Sequence, residues 1–319
     1  MGRSLEGKVA LVTGASEGGT GRAIAVRFAA EGARVAVTAR NRAGLEETRA
    51  AIEAVGSEGL VLPADLSDPE GARTELVAAT EAAFGPIDVL VNNARAADFK
   101  PVEAWTLEEL DLQQQVNVWA PWLLMGQVLP GMHERGRGWI LNLTSSAAEL
   151  PPGPPYGMLA KAGYGTYGVT KAAINRLTLI AAAENEGRGV AVNALTPQAA
   201  ISTEVIMASG AVEALAGEGD SSWMFEPVDT MAEAALALCT GDPAVLTGRI
   251  AYSLQLLVEL DRPVHDVRGE ALVAGFQPAD LPPQIRRQSD FHLTSGGPDM
   301  FHLDRPSTPT PDALRDAGA

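Results

Sequence analysis

Cysteine is almost absent. A single Cys239 in 319 residues leaves no partner for an internal disulfide and no basis for a cysteine-built metal cluster. The four histidines (His133, His265, His292 and His302) are scattered, with no pair at helical metal-ligand spacing, so no metal site is expected. Positive charge is also scarce: 24 Lys and Arg stand against 40 Asp and Glu, a net charge of −16. Such a surface repels nucleic acid and anionic membrane, and no run of Lys or Arg offers a local exception. No apolar stretch is long enough to cross a bilayer; the best candidate, Val116 to Met125, is short and holds Asn117. The opening MGRSLEGKVALVTG lacks the layout of a signal peptide, and Glu6 stands where a myristoylation signal has Ser or Thr. The expected location is the cytoplasm.

What is present is enough apolar sequence for a substantial core, with 46% hydrophobic and 20% charged residues. Short β-branched runs at Lys8–Thr13, Arg34–Thr38, Leu60–Pro63, Val89–Val91, Trp139–Leu143 and Val190–Ala194 read as buried strands. Between them, Gly21–Glu31, Leu45–Val55 and Arg73–Phe84 carry apolar residues at helical spacing. This alternation predicts an α/β fold, a doubly wound parallel sheet of the Rossmann type in three α/β/α layers. Ligands of such sheets bind beyond the carboxyl ends of the strands, where the strand order reverses. From about Arg262 prolines recur and periodicity fades. The expected organisation is a catalytic domain over 1–262 and a proline-rich, irregular extension over 263–319, packed on the domain or on a partner subunit.

Three features point to chemistry. The first strand runs into Gly14-Ala15-Ser16-Glu17-Gly18-Gly19-Thr20-Gly21 and then a helix. Glycines there let the backbone approach a pyrophosphate, whose charge the helix N-terminus holds. An acid, Asp65, follows the third strand. The second strand ends in Ala39-Arg40-Asn41-Arg42, where an acidic residue would take the adenosine-ribose hydroxyls. An arginine suits a 2′-phosphate instead, so Arg40, helped by Arg42, points to NADP(H) over NAD(H). Finally, Tyr167 and Lys171 are four apart at the start of a helical stretch and so project to one side. A free phenol is a poor acid or base at neutral pH, and a nearby ammonium would favour the phenolate.

The ordered set Thr13-Gly14-Ala15-Ser16, Asp65-Leu66, Asn92-Asn93-Ala94, Asn117, Thr144-Ser145-Ser146, Tyr167-Gly168-Val169-Thr170-Lys171 and Asn193-Ala194-Leu195-Thr196-Pro197 resembles the short-chain dehydrogenase/reductase family over roughly residues 5 to 260. The resemblance implies that Tyr167 exchanges the substrate's hydroxyl proton and that Ser145 hydrogen-bonds the reacting oxygen. Lys171 would lower the tyrosine pKa and hold the nicotinamide ribose, and Asn117 would position a proton-relaying water. Ser16, Gly18, Gly19, Thr20, Gly21, Leu66, Asn93, Ala94, Pro197, Ile201 and Thr203 would join Gly14, Arg40 and Asp65 around the cofactor. The implied activity is hydride transfer between nicotinamide and a secondary alcohol or ketone, in a homodimer or homotetramer built through the helices around Asn117 and Tyr167. Two alternatives stay open: a C=C reductase of the same superfamily, with Tyr164 paired to Lys171 at the wider spacing, and a nucleotide-binding scaffold without turnover.

Departures from the family pattern bear on the site. The glycine loop is one residue longer than the family's usual loop, and Arg95 replaces the glycine usual after Asn92-Asn93-Ala94. That cation either adds a phosphate or substrate-carboxylate contact or points to solvent. A proline-rich insertion, Glu149 to Tyr156, separates Ser145 from Tyr167, and Pro197-Gln198 replaces Pro-Gly. Residues Ile201 to Phe225 correspond to the substrate lid; Ile206, Met207, Trp223, Met224 and Phe225 within it suggest an apolar substrate.

Overall fold

A computed structural model of the chain describes residues 3–16, 18–151, 153–157, 159–202 and 222–297. Seven parallel strands form the central sheet: β1 (Val9–Thr13), β2 (Arg34–Ala39), β3 (Gly59–Pro63), β4 (Val89–Asn92), β5 (Gly138–Leu143), β6 (Val190–Thr196) and β9 (Ile250–Tyr252). Their order is β3-β2-β1-β4-β5-β6-β9, so the chain winds outward in both directions from the β1/β4 junction. Two further strands among the described residues, β7 (Ala200–Ile201) and β8 (Phe225–Glu226), pair with each other in a separate short sheet.

Central strands buried on both faces read as nearly continuous apolar runs, as a parallel sheet covered by helices requires. All five residues of β1 and all seven of β6 are buried. One face is covered by α1 (Thr20–Ala30), α7 (Val228–Thr240) and α8 (Ser253–Glu259), which contribute Ile24, Phe28, Leu236 and Leu256 to a common core. On the other face α3 (Leu76–Phe84), α5 (Ala120–Arg135) and α6 (Gly165–Glu184) bring Leu76, Leu124 and Ile174 together. The helix α2 (Arg42–Ala54) follows β2, with Asn41 at its N-cap accepting from the Gly44 amide. No described helix is long and apolar enough to cross a membrane.

Beyond Arg262 the described chain is irregular up to a final helix, α9 (Leu281–Thr294). Pro282 and Pro283 fall in its first turn, where a missing amide costs nothing and the fixed φ favours the helix. Leu281, Ile285, Gln288 and Ser289 are buried at helical spacing, the first two join the core, and the helix packs against α8. Leu281 and Ile285 thus fasten α9 to the main body. Arg262 adds an ion pair to the buried Glu233, which also holds Arg27. Residues 298–319, with His302, lie outside the described residues.

Candidate active site

A cleft of about 990 Å³ opens at the carboxyl ends of β1, β2, β4 and β5, where the strand order reverses. At its floor the chain leaves β1 through Gly14, whose φ of +69° is left-handed. A β-carbon at Gly14 would lie 2.7 Å from the Ala94 Cα; one at Gly21 would lie 2.4 Å from the Asn93 side chain and the Gly14 carbonyl. These two glycines therefore let the β1–α1 turn and the segment after β4 touch. The Asn93 amide locks that contact by donating to the Thr13 and Gly14 carbonyls, both at 2.9 Å. Gly19 is the N-cap of α1, with open space where its side chain would be, no side-chain cap and no acid in the first turn. Free amides at a helix N-terminus, beside a surface that a backbone can approach, suit a pyrophosphate. The cradle fits a dinucleotide.

Gly14, Ser16, Gly19, Thr20, Gly21, Arg40, Asp65, Leu66, Asn93, Ala94, Pro197 and Ile201 all line the cleft. Gly18 does not, because the added residue of the loop makes Gly19 the residue that opens the helix. Thr203 lies outside the described residues. Arg40, exposed just past the end of β2, has no ion pair among the described residues, and its charge helps hold the Asp65 carboxyl below its usual range. The two hydrogen bonds from Ser67 act in the same direction against burial, the largest effect. Arg42 instead pairs with Glu46 one turn along α2, and does not line the cleft.

At the other end Ser145, Tyr167 and Lys171 line the cleft together. Helix α6 carries the last two on one face, as their spacing requires. The Lys171 ammonium donates to the Leu143 carbonyl at 2.7 Å and lies 5.6 Å from the Tyr167 ring centroid. Burial pulls the lysine down to about 7, and the nearby Arg95 charge adds to the effect. Tyr167 is buried, which pushes its phenol up; Arg95 and a hydrogen bond with the Ser145 side chain oppose that. Desolvation is the largest effect on the phenol, and the groups that pull it down are Arg95 and Ser145, not the expected Lys171.

Asn117 occupies the one described π-helical segment, Gln115–Trp119, between α4 (Leu107–Gln114) and α5. Its side chain is buried. It accepts from the Ala96 amide, and donates to the Ala96 carbonyl and the Thr170 hydroxyl. It is not among the residues that line the cleft, and its amide ties the segment after β4 to α6.

Tyr164 does not line the cleft; it is exposed, with its ring against Phe99 at 5.0 Å. Of the lid residues, 203–221 lie outside the described chain, Ile206 and Met207 included. Trp223 packs on Phe291 of α9 at 5.6 Å, with the Arg287 guanidinium over its ring, and Trp223, Met224 and Phe225 are not cleft residues. These three aromatic and sulfur-bearing side chains therefore give no support to an apolar substrate.

Two groups were not anticipated from the sequence. Glu109, Leu112, Gln113 and Val116 line the cleft from α4 and the π segment. Their 0, 3, 4, 7 spacing upstream of Asn117 is the signal that marks them. Glu226 is fully buried beneath the Pro197–Ile201 loop. It accepts from the Ala199 amide at 2.9 Å, the Ser253 hydroxyl at 2.7 Å and the Thr230 hydroxyl at 2.5 Å. Burial pushes its carboxyl up to about 7 against those bonds. No sequence pattern marks an acid of this kind.

The model of the short chain dehydrogenase family matches residues 8–213. The chain belongs to that family. A short chain dehydrogenase of Pseudocercospora fijiensis is 39% identical over 60% of this chain, and the match spans 60% of the relative's length. Gluconate 5-dehydrogenase of Gluconobacter oxydans is 35% identical over 61% of this chain and 72% of its own. Among solved structures, a metagenomic short-chain oxidoreductase in complex with NADP superposes with a TM-score of 0.60 and 31% identity, over 75% of this chain and 94% of that one. The chain is therefore an oxidoreductase with the family's Rossmann-like sheet, as its strand order already indicated.

Proposed function

We propose that this short-chain dehydrogenase interconverts a secondary alcohol and a ketone using NADP(H). The observation that carries the reading is the convergence of Ser145, Tyr167 and Lys171 on one cleft that continues to a glycine turn at a helix N-terminus. When bound, the nicotinamide supplies or accepts the hydride. The protein's part is geometry and proton handling. Tyr167 gives its phenolic proton to the carbonyl oxygen during reduction and removes it from the alcohol during oxidation. Ser145 steadies the same oxygen through its hydroxyl. Lys171, fixed by Leu143, holds a donor beside the phenol. Asn117 keeps the Ala96 segment and α6 in register, which makes it a positioning residue.

The preference for NADP(H) rests on Arg40, a cleft cation at the end of β2 where a carboxylate would serve NAD(H). Relatives in this comparison include structures holding NADP or NADPH, in agreement with that assignment. The C=C reductase alternative needs Tyr164 in the cleft, and Tyr164 is outside it. The non-catalytic alternative leaves the convergence of Ser145, Tyr167 and Lys171 without a purpose.

We also propose a homodimer or homotetramer. On α6, Leu177 is buried in the core, but Ala172 and Ile180 are exposed. Trp119 and Trp122, with ring centroids 6.3 Å apart, are about half exposed beside the Asn117 segment. Two neighbouring exposed tryptophans suit burial against a second copy. The test of the activity is hydride transfer followed by the absorbance of reduced nicotinamide, with NADP and a panel of secondary alcohols and with NADPH and the matching ketones. Turnover that needs Tyr167 supports the reading; tight nucleotide binding with no turnover of any carbonyl or alcohol contradicts it.

A further inference from the structure

Arg95 is a cation without a carboxylate partner, facing the reacting end of the cleft. Most charged groups around it are already matched. Asp98 and Glu109, the acids that line the same wall, share the Lys100 ammonium, with Asp98 at 3.1 Å. Asp65 lies toward Arg40 and is bonded to Ser67. Arg95 itself, exposed at the cleft wall, has no ion pair or hydrogen bond among the described residues, in a chain where acids outnumber bases 40 to 24.

Its position is fixed on both sides. Ala94 packs against Gly14 in the glycine turn, and the Ala96 amide and carbonyl are both held by Asn117. The backbone of Arg95 is thus pinned between the turn and the helix that carries Tyr167, and its charge is felt by both Tyr167 and Lys171. A guanidinium at such a place offers a planar pair of donors to a carboxylate or similar anion. It also attracts an anion into the cleft of a protein whose overall charge would repel one.

We propose that Arg95 selects the substrate: the carbonyl or alcohol that this enzyme turns over carries an anionic group, a carboxylate or its equivalent, which pairs with Arg95 while the reacting oxygen faces Tyr167 and Ser145. The assignment rests on the oxidoreductase reading above, and deepens it.

The test uses the complex with NADP, in which a ketone binds but cannot be reduced, so binding is read without turnover. Oxo acids with the carboxylate one to four carbons from the carbonyl, and their methyl esters, are titrated calorimetrically into wild type, R95M and R95K. The expected result is that at least one acid binds about tenfold or more tightly than its ester, an effect of the size of one charge-assisted contact. R95M removes that preference, R95K restores part of it, and the affinity for NADP changes less than about threefold. The proposal is overturned if no acid in the series binds better than its ester, if none binds measurably, or if R95M keeps the preference. It is also overturned if R95M chiefly weakens NADP, which would assign Arg95 to the cofactor's phosphates. Failure of the oxidoreductase reading looks different: wild type then turns over no carbonyl or alcohol, acidic or neutral.

Discussion

Tyr164 and Tyr167 stand three residues apart at the start of α6, yet only Tyr167 is buried in the cleft, beside Ser145 and Lys171. Tyr164 is 39% exposed and caps the helix, accepting from the Gly168 amide through its carbonyl. Both rings meet Phe99 edge-on, at 5.0 and 5.9 Å. The separation predicts unequal consequences. Tyr167→Phe should lower kcat by about 10²–10⁴, the usual worth of a positioned general acid, with NADPH affinity nearly unchanged. Tyr164→Phe should leave kcat within about threefold, because an exposed hydroxyl outside the cleft has no proton to move. Steady-state kinetics on the two variants decide the matter, and the reverse pattern would favour C=C reduction.

Arg40 should matter to one cofactor and not the other. Arg40→Ser is expected to weaken NADPH binding by about 10- to 100-fold, the worth of one charge-assisted contact to a phosphate, and to alter NADH binding by less than about threefold. Arg42→Ser, which breaks only the exposed pair with Glu46, should change neither appreciably. Parallel titrations with the two nucleotides measure all four effects.

The contact between the glycine turn and Asn93 sets a steric prediction. A β-carbon at Gly21 would fall 2.4 Å from the Asn93 side chain and the Gly14 carbonyl, so Gly21→Ala must push the turn away from β4. Overpacking of this kind costs about 1–3 kcal/mol, seen as a loss of several degrees in Tm. NADPH affinity should fall with it, because the displaced backbone is the one that a pyrophosphate would approach. Gly19→Ala, in open space, should be far milder in stability.

Glu226 gives a pH dependence whose sign is fixed. Its carboxyl titrates near 7 when folded, above its ordinary value of 4.5. Between those values the folded state holds the extra proton, so this group's contribution to stability falls as pH rises from about 4.5 to 7. Glu226→Gln lacks that fall. The difference in Tm, variant minus wild type, should therefore increase between pH 5 and pH 8. A flat or decreasing difference would mean that Glu226 is charged throughout and well satisfied by Ala199, Ser253 and Thr230.

Much of this architecture is legible in the sequence because its signals are local. The six strands read from β-branched runs fall within a residue or two of their observed ends, and the Tyr167–Lys171 pair needs only helical spacing to face one cleft. Longer-range features are not legible. Helix α9 was obscured by prolines that turn out to sit in its first turn, and its apolar stripe is just Leu281 and Ile285. Glu226 is buried by the pairing of β7 with β8, two strands of two residues each, and no window of sequence shows that pairing. The bonds of Asn117 to Ala96 and Thr170 join segments far apart in sequence, and no local pattern shows them. The balance of effects on the Tyr167 phenol is not legible for the same reason: burial is a property of the assembled cleft.

The central claim is that the cleft holds NADP(H) at Arg40 and the glycine turn. Calorimetric titration of the purified protein with NADPH and with NADH tests it most directly. The account predicts saturable binding of one nucleotide per chain, with NADPH at least about tenfold tighter, a difference of about 1.4 kcal/mol. Equal or tighter binding of NADH would contradict the role of Arg40, and absence of binding by either nucleotide would contradict the cofactor site itself.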